Sequence, residues 1–167
     1  MTGTRTLILL RHAKSDYPKG VADHDRPLAK RGIREAALAG EWIRQHLPPV
    51  DAVLCSTATR TQQTLAQTGI EAPVTYVERL YDTTAGTAID VINGAPEAAS
   101  TLLVIGHEPV MSSLALSLAS LDTSDPDAAG QIALKYPTSA IAVLHTDRHW
   151  SQLELRSATL VEFHIPR

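Results

Sequence analysis

Apolar residues fall along this chain in short blocks of two kinds, separated by polar punctuation. Thr4–Leu10, Ala52–Cys55, Val74–Val77 and Thr101–Ile105 are compact apolar runs of strand length. Between them, apolar residues recur at helical spacing. Lys30–Leu47 shows helical apolar spacing through Ile33, Ala37, Trp42 and Ile43 and is stopped by Pro48 and Pro49. A second helix is predicted from the capping residues Ser56 and Thr57 to about Gln67, with Arg60 in its first turns and Gly69 as its stop. Gly86–Asn93 reads as a third helix, and Pro109 opens a fourth that reaches about Leu121. Thr123–Gly130, rich in Asp, Ser and Pro, reads as a loop, and Ser139–His145 and Gln152–Phe163 as closing strands.

Alternating strands and helices predict an α/β fold, a three-layer αβα sandwich around a mainly parallel central sheet. At 167 residues the chain is long enough for a substantial core, and a single domain over 1–167 is expected. An apolar fraction of 44% and a charged fraction of 20% are ordinary for a folded protein and argue against disorder. The net charge of -3, with no basic stripe and no stacking aromatics, argues against a nucleic-acid or membrane partner. Leu7–Leu10 is too short for a signal-peptide core or a membrane span, and Cys55, the one cysteine, forms no internal disulfide, so a cytoplasmic protein is expected. The oligomeric state is not indicated.

In an open α/β sheet, ligands bind outside the carboxyl ends of the strands. Three segments of this chain reach that edge: Arg11 and His12 after the first strand, Ser56–Arg60 after the second, and Gly106–Glu108 after the fourth. Arg11 and Arg60 are guanidinium forks matched to phosphoryl oxygens. An unprotonated imidazole is a competent nucleophile towards phosphorus, which makes His12 the candidate. A protonated His107 is expected to donate to the non-bridging oxygens, its charge helping to keep His12 neutral. Asp23-His24-Asp25 has no second ligand cluster to complete a metal site, so neither metal nor cofactor is expected. Cys55 at the end of an apolar strand reads as a buried structural thiol.

These segments resemble the histidine phosphatase superfamily, which also contains the cofactor-dependent phosphoglycerate mutases. Leu9-Leu10-Arg11-His12-Ala13-Lys14-Ser15 is similar to its Arg-His-Gly signature, with Ala13 in place of glycine as in the SixA-type phosphohistidine phosphatase branch. Asp25-Arg26-Pro27-Leu28 with Arg31-Gly32, Ser56-Thr57-Ala58-Thr59-Arg60-Thr61-Gln62-Gln63-Thr64, and Val104-Ile105-Gly106-His107-Glu108-Pro109 resemble its later blocks. The resemblance implies a phosphoglycerate mutase-like fold, with His12 as the phosphorylated residue and Arg11, Arg60 and His107 as phosphate ligands. Many relatives carry a glutamate as general acid shortly after a leucine. Here Leu80-Tyr81-Asp82 stands at that point, so Asp82 is the candidate acid, with Glu78 and Glu108 as rivals.

The expected activity is phosphoryl hydrolysis through a phosphohistidine intermediate, on a phosphorylated protein or a small phosphorylated metabolite. Little chain separates Arg60 from His107, which leaves no room for a long lid and favours a phosphohistidine protein as substrate. The alternatives are a small-molecule phosphomonoesterase acting on a sugar phosphate or nucleotide, and a noncatalytic phosphate-binding module.

Overall fold

The computed structural model describes residues 3–167. Six strands form one sheet: β1 (Arg5–Arg11), β2 (Ala52–Ser56), β3 (Val74–Val77), β4 (Thr101–Gly106), β5 (Ile141–Thr146) and β6 (Thr159–His164). Five helices connect and cover them: α1 (Lys30–His46), α2 (Thr59–Thr68), α3 (Ala85–Asn93), α4 (Val110–Leu118) and α5 (Pro126–Leu134). The strand order is β3-β2-β4-β1-β5-β6. The pairs β3–β2, β2–β4 and β4–β1 are parallel, while β1–β5 and β5–β6 are antiparallel.

The apolar runs of β1, β2 and β4 are continuous because both faces of the sheet are covered. Successive side chains point to opposite faces. Leu7, Leu9, Leu54, Leu102 and Val104 pack with Val91 and Ile92 of α3, Met111 and Leu114 of α4 and Ile132 of α5. Ile8, Leu10, Val53, Leu103 and Ile105 face the other way, onto Ala39 and Ile43 of α1 and Leu65 of α2. The result is the expected three-layer αβα sandwich with a mainly parallel sheet. Cys55 is fully buried on the α1/α2 side, and burial pushes its thiol up to about 12. Trp42 packs against the same cluster and stacks on His164 at the end of β6, ring centroids 4.4 Å apart. Among the described residues, no helix is long and apolar enough to cross a membrane.

Two expectations need correction. The segment 123–130 is not all loop, because Asp125 and Pro126 start α5. The Asp125 carboxylate accepts the Ala128 N–H at 3.0 Å, and proline occupies the first turn, where its missing N–H costs nothing. Ala128 and Ile132 then supply a buried face. The last strand begins only at Thr159, since Trp150–Gln152 forms a 3-10 turn. Trp150 is wholly buried, its indole N–H donating to the Ala99 carbonyl at 2.8 Å, and this anchors the turn away from the sheet.

One packing feature sets the position of the loop after β1. The Ala29 N–H donates to the Lys14 carbonyl at 2.9 Å, so α1 starts directly against that loop. Gly32, in the first turn of α1, lies so close that any Cβ there would run into the Lys14 backbone. We predict that Gly32→Ala destabilises the protein by about 1–3 kcal/mol through overpacking, and slows any reaction that depends on the loop that carries His12 by displacing that loop. Equilibrium urea unfolding with a parallel rate measurement checks this, and an unchanged midpoint would contradict it.

Candidate active site

Parallel pairing places Arg11 of β1 opposite Gly106 of β4, so the residues that follow, His12 and His107, emerge side by side. The His12 N–H donates to the Gly106 carbonyl at 3.0 Å, and the two imidazole centroids are 5.2 Å apart. Both rings are nearly enclosed, with His12 6% and His107 8% exposed.

The loop bearing His12 is held by α2. Thr64, fully buried, accepts the Ala13 N–H at 2.9 Å and donates to the Arg60 carbonyl at 2.7 Å. On the other side, the Ser139 N–H donates to the carbonyls of Arg11 and His12. His12 Nδ1 lies 2.7 Å from the Ala13 carbonyl oxygen. A carbonyl only accepts, so Nδ1 carries the proton of the neutral ring and Nε2 keeps its lone pair. Burial, followed by the charges of His107, Arg11 and Arg60, lowers the pKa of His12 to about 3.

Both arginines are fixed by one part of the guanidinium, with other donors left over. Arg11 Nη1 donates to the Tyr136 carbonyl at 2.9 Å. Arg60 gives Nη1 to the Asp23 carbonyl at 2.7 Å and Nη2 to the Asp23 carboxylate at 3.1 Å. Arg11 Nε, Arg60 Nε and His107 Nδ1 are buried and have no partner among the described residues. A buried donor without an acceptor costs about 1–3 kcal/mol, so this centre is poised to receive an anion.

His107 Nε2 is 2.8 Å from Ser56 Oγ. Burial, then Arg60 and to a lesser degree Arg11 and His24, lowers its pKa to about 4, against an opposing pull from Asp23. The cationic His107 expected from the sequence is therefore corrected. Both imidazoles are neutral in the unliganded centre, because desolvation adds to the arginine field. The tautomer in which Ser56 donates to Nε2 places the proton of His107 on the unpartnered Nδ1.

Arg11, His12, Arg60 and His107 are thus brought together, and Asp82 is not joined to them by any hydrogen bond. It is exposed, at a φ of 52°, directly after Tyr81. Glu78 is also exposed. Glu108 is half-buried and caps α4, its carboxylate accepting from the Ser112 N–H at 2.6 Å and hydroxyl at 2.8 Å. Neither Ser56 nor Thr57 caps α2 by a side-chain bond to its first turn. Ser56 is on His107, and Thr57 Oγ1 lies 2.9 Å from His24 Nε2.

Sequence reasoning missed Asp23, His24 and Tyr81. Asp23-His24-Asp25 forms a 3-10 turn, and the Asp23 carboxylate also accepts Tyr81 Oη–H at 2.5 Å and Arg26 Nε–H at 3.1 Å. Tyr81 lies edge-on to both His107 and His24, at centroid distances of 5.5 and 4.8 Å. The sequence carries two signals for them, the Asp23-His24-Asp25 cluster, weighed only as a metal site, and the placement of Tyr81 beside the candidate acid. Among the described residues, no cluster of three or more His, Cys, Asp or Glu side chains has metal-binding geometry.

The family model "Histidine phosphatase superfamily (branch 1)" matches residues 7–92. The Mycobacterium tuberculosis protein Rv1276c is 60% identical over 158 residues, covering 95% of this chain and 100% of that protein. ML1117 of Mycobacterium leprae is 51% identical over 162 residues, covering 95% and 100% respectively. Among solved structures, SixA from Nakamurella multipartitia superposes with a TM-score of 0.90 at 42% identity, covering 98% of this chain and 97% of that one.

The lowered pKa values of the two histidines carry a stability consequence. In the unfolded chain both titrate near 6.5, whereas the folded values are about 3 and 4. Between those limits the unfolded state binds more protons, so stability is full above pH 6.5 and is lost as pH falls towards 4. We predict a melting temperature that drops from pH 7 to pH 5, with a shallower drop in His12→Asn. Equal slopes for the two proteins would count against a buried neutral His12.

Proposed function

The chain belongs to the histidine phosphatase superfamily, in its SixA-type branch and with a phosphoglycerate mutase-like fold, and on that footing we propose that this phosphatase works through a phosphohistidine formed on His12. The carrying observation is the bond from His12 Nδ1 to the Ala13 carbonyl, which leaves Nε2 as the free lone pair beside two arginines. In the proposed reaction Nε2 attacks phosphorus, a nitrogen–phosphorus bond forms, and the leaving group departs with the electron pair of its own bond to phosphorus. Water then attacks the same phosphorus, the bond to Nε2 breaks, and the imidazole returns to neutrality as inorganic phosphate leaves.

Arg11 and Arg60 hold the non-bridging oxygens and His107 donates to them from Nδ1, stabilising charge that spreads over the phosphoryl group in the transition state. Fixed charge of this kind performs the task that a divalent ion performs elsewhere. A cytoplasmic location suits a chain whose one cysteine is a buried thiol.

A phosphohistidine on a protein is the substrate this arrangement favours. Two carboxylates near the centre are engaged, Asp23 with two arginines and Tyr81, and Glu108, next to His107, with Ser112. A protonated imidazole leaves without help from an acid, whereas an alkoxide does not. A small phosphomonoester is the second reading. It is supported by Asp82, whose exposed carboxyl follows the tyrosine that covers His107 and is free to serve as general acid.

His12→Ala is expected to abolish turnover, and wild-type protein quenched during turnover to carry acid-labile phosphate on His12. Label on another residue would overturn the mechanism. The two substrate readings separate through Asp82→Asn. A general acid contributes about 100-fold to 10,000-fold when the leaving oxygen is basic. The variant should therefore slow alkyl phosphate hydrolysis by such a factor and leave phosphohistidine and nitrophenyl phosphate hydrolysis nearly unchanged. An equal loss on all three would make Asp82 a support of the pocket, and the same dependence in Glu108→Gln alone would move the acid beside His107.

A further inference from the structure

We propose that Asp23 is a positioning residue for the reaction, holding Arg60 from outside the pocket and tying Tyr81 across His107. This rests on the reading of the centre as a phosphoryl site. Three observations carry it. The carboxylate of Asp23 and its own main-chain carbonyl grip Nη2 and Nη1 of Arg60, so both bonds fall on the end of the guanidinium and the Nε edge stays free. The Asp23 side chain is 56% exposed and that of Arg60 7%, which puts the carboxylate on the solvent side of the arginine, while Arg60 acts on His12 and His107 from within. Finally, the second donor to the same carboxylate oxygen is Tyr81, whose ring lies edge-on to His107.

The alternative role for an acidic residue here is a latch, in which Asp23 competes with the substrate phosphoryl for Arg60 and must be displaced. The free Nε edge and the outward position of Asp23 favour positioning. The ion pair remains intact across the working pH range, because Tyr81 and Arg60 hold the Asp23 carboxyl down at about 2. Arg26 braces the arrangement, with Nε on the other carboxylate oxygen at 3.1 Å and Nη1 on Ser15 Oγ at 3.0 Å.

The two roles have opposite signs in one experiment. Nitrophenyl phosphate hydrolysis and tungstate affinity are measured for wild type, Asp23→Asn, Tyr81→Phe, Arg60→Ala, Arg60→Lys and Asp23→Asn combined with Arg60→Lys. Positioning predicts that Asp23→Asn lowers kcat/KM by about 10-fold to 100-fold, with tungstate affinity falling in parallel. Tyr81→Phe, which removes one hydroxyl and keeps the ring, should shift both in the same direction by less. Lysine has no fork to be held, so Asp23→Asn should add little in the Arg60→Lys background, which a merely structural loss would not spare. Tungstate binding that is unchanged or tighter in Asp23→Asn, or an equal loss in both backgrounds, would overturn the positioning role. If Arg60→Ala itself leaves tungstate affinity intact, the phosphoryl pocket is what fails.

Discussion

The parallel pairing of β1 with β4 runs in register from Thr6 opposite Thr101 to Arg11 opposite Gly106, and the centre depends on this pairing. Both strands are buried on both faces, so a slip of one residue would drive every side chain to the wrong layer. That constraint fixes where the two strands end. The residues just beyond, His12 and His107, are consequently neighbours without any direct bond between their side chains. Within β1 the alternation has a second effect, since Leu7 and Leu9 face α3–α5 while Ile8 and Leu10 face α1 and α2. Arg11, in step with Leu7 and Leu9, reaches the Tyr136 carbonyl just beyond α5, and the loop of His12 is fastened to Thr64 of α2. Adjacent residues in sequence are therefore braced from opposite layers.

Bringing two guanidinium groups so close together is unfavourable unless something offsets their charge. Desolvation makes both imidazoles neutral, which removes two further cations from the centre. Asp23 neutralises Arg60 from outside, and the charge of Glu108 acts on Arg11. Neither carboxylate removes the local excess of donors, because each arginine Nε stays unpartnered. In the proposed reaction, an entering phosphoryl group supplies both negative charge and acceptors for these donors. Burial that is costly in the free protein thus becomes affinity for the transferring group, and arginine suits this role because it stays charged even when desolvated.

Most of this arrangement could be read from the sequence because it depends on local pattern. The apolar runs of β1 to β4 are short, bounded by turn residues and followed by Arg11-His12, Ser56–Arg60 and His107, and the ligand rule for open sheets selects those ends. The remainder depends on contacts between distant segments. Asp23 meets Arg60 across 37 positions and Tyr81 across 58, and no local pattern marks a loop aspartate as the partner of either. The charge on His107 was misread because a protonation state follows burial, which a lone sequence does not report. Thr123–Gly130 reads as loop by composition, yet Asp125-Pro126 is also an N-cap followed by a first-turn proline, and the pattern of Ala128 and Ile132 decides for α5. Asp82 was placed by resemblance alone, and a backbone at a φ of 52° turns its side chain into solvent instead of into the bonded network.

The division between a saturated interior and an uncommitted rim bears on substrate choice. Arg11, Arg60 and His107 act on oxygens common to every phosphoryl donor, so in the proposed reaction they lower the barrier without regard to what leaves. On the proposed reading, discrimination then falls to groups that meet the leaving portion, and Tyr81 and His24, whose rings meet edge-on beside His107, are the candidates. Asp23 is held ionised and has no proton to give at neutral pH, while the Glu108 carboxylate is engaged by the N–H and hydroxyl of Ser112. A leaving group that brings its own proton, such as an imidazole, needs only a flat ring beside it, and Tyr81 and His24 provide two. A leaving alkoxide requires a carboxyl donor, and in the second reading the exposed Asp82 would have to supply it. On the proposed mechanism, leaving-group chemistry, more than phosphate affinity in the interior, is therefore what separates the two substrate readings.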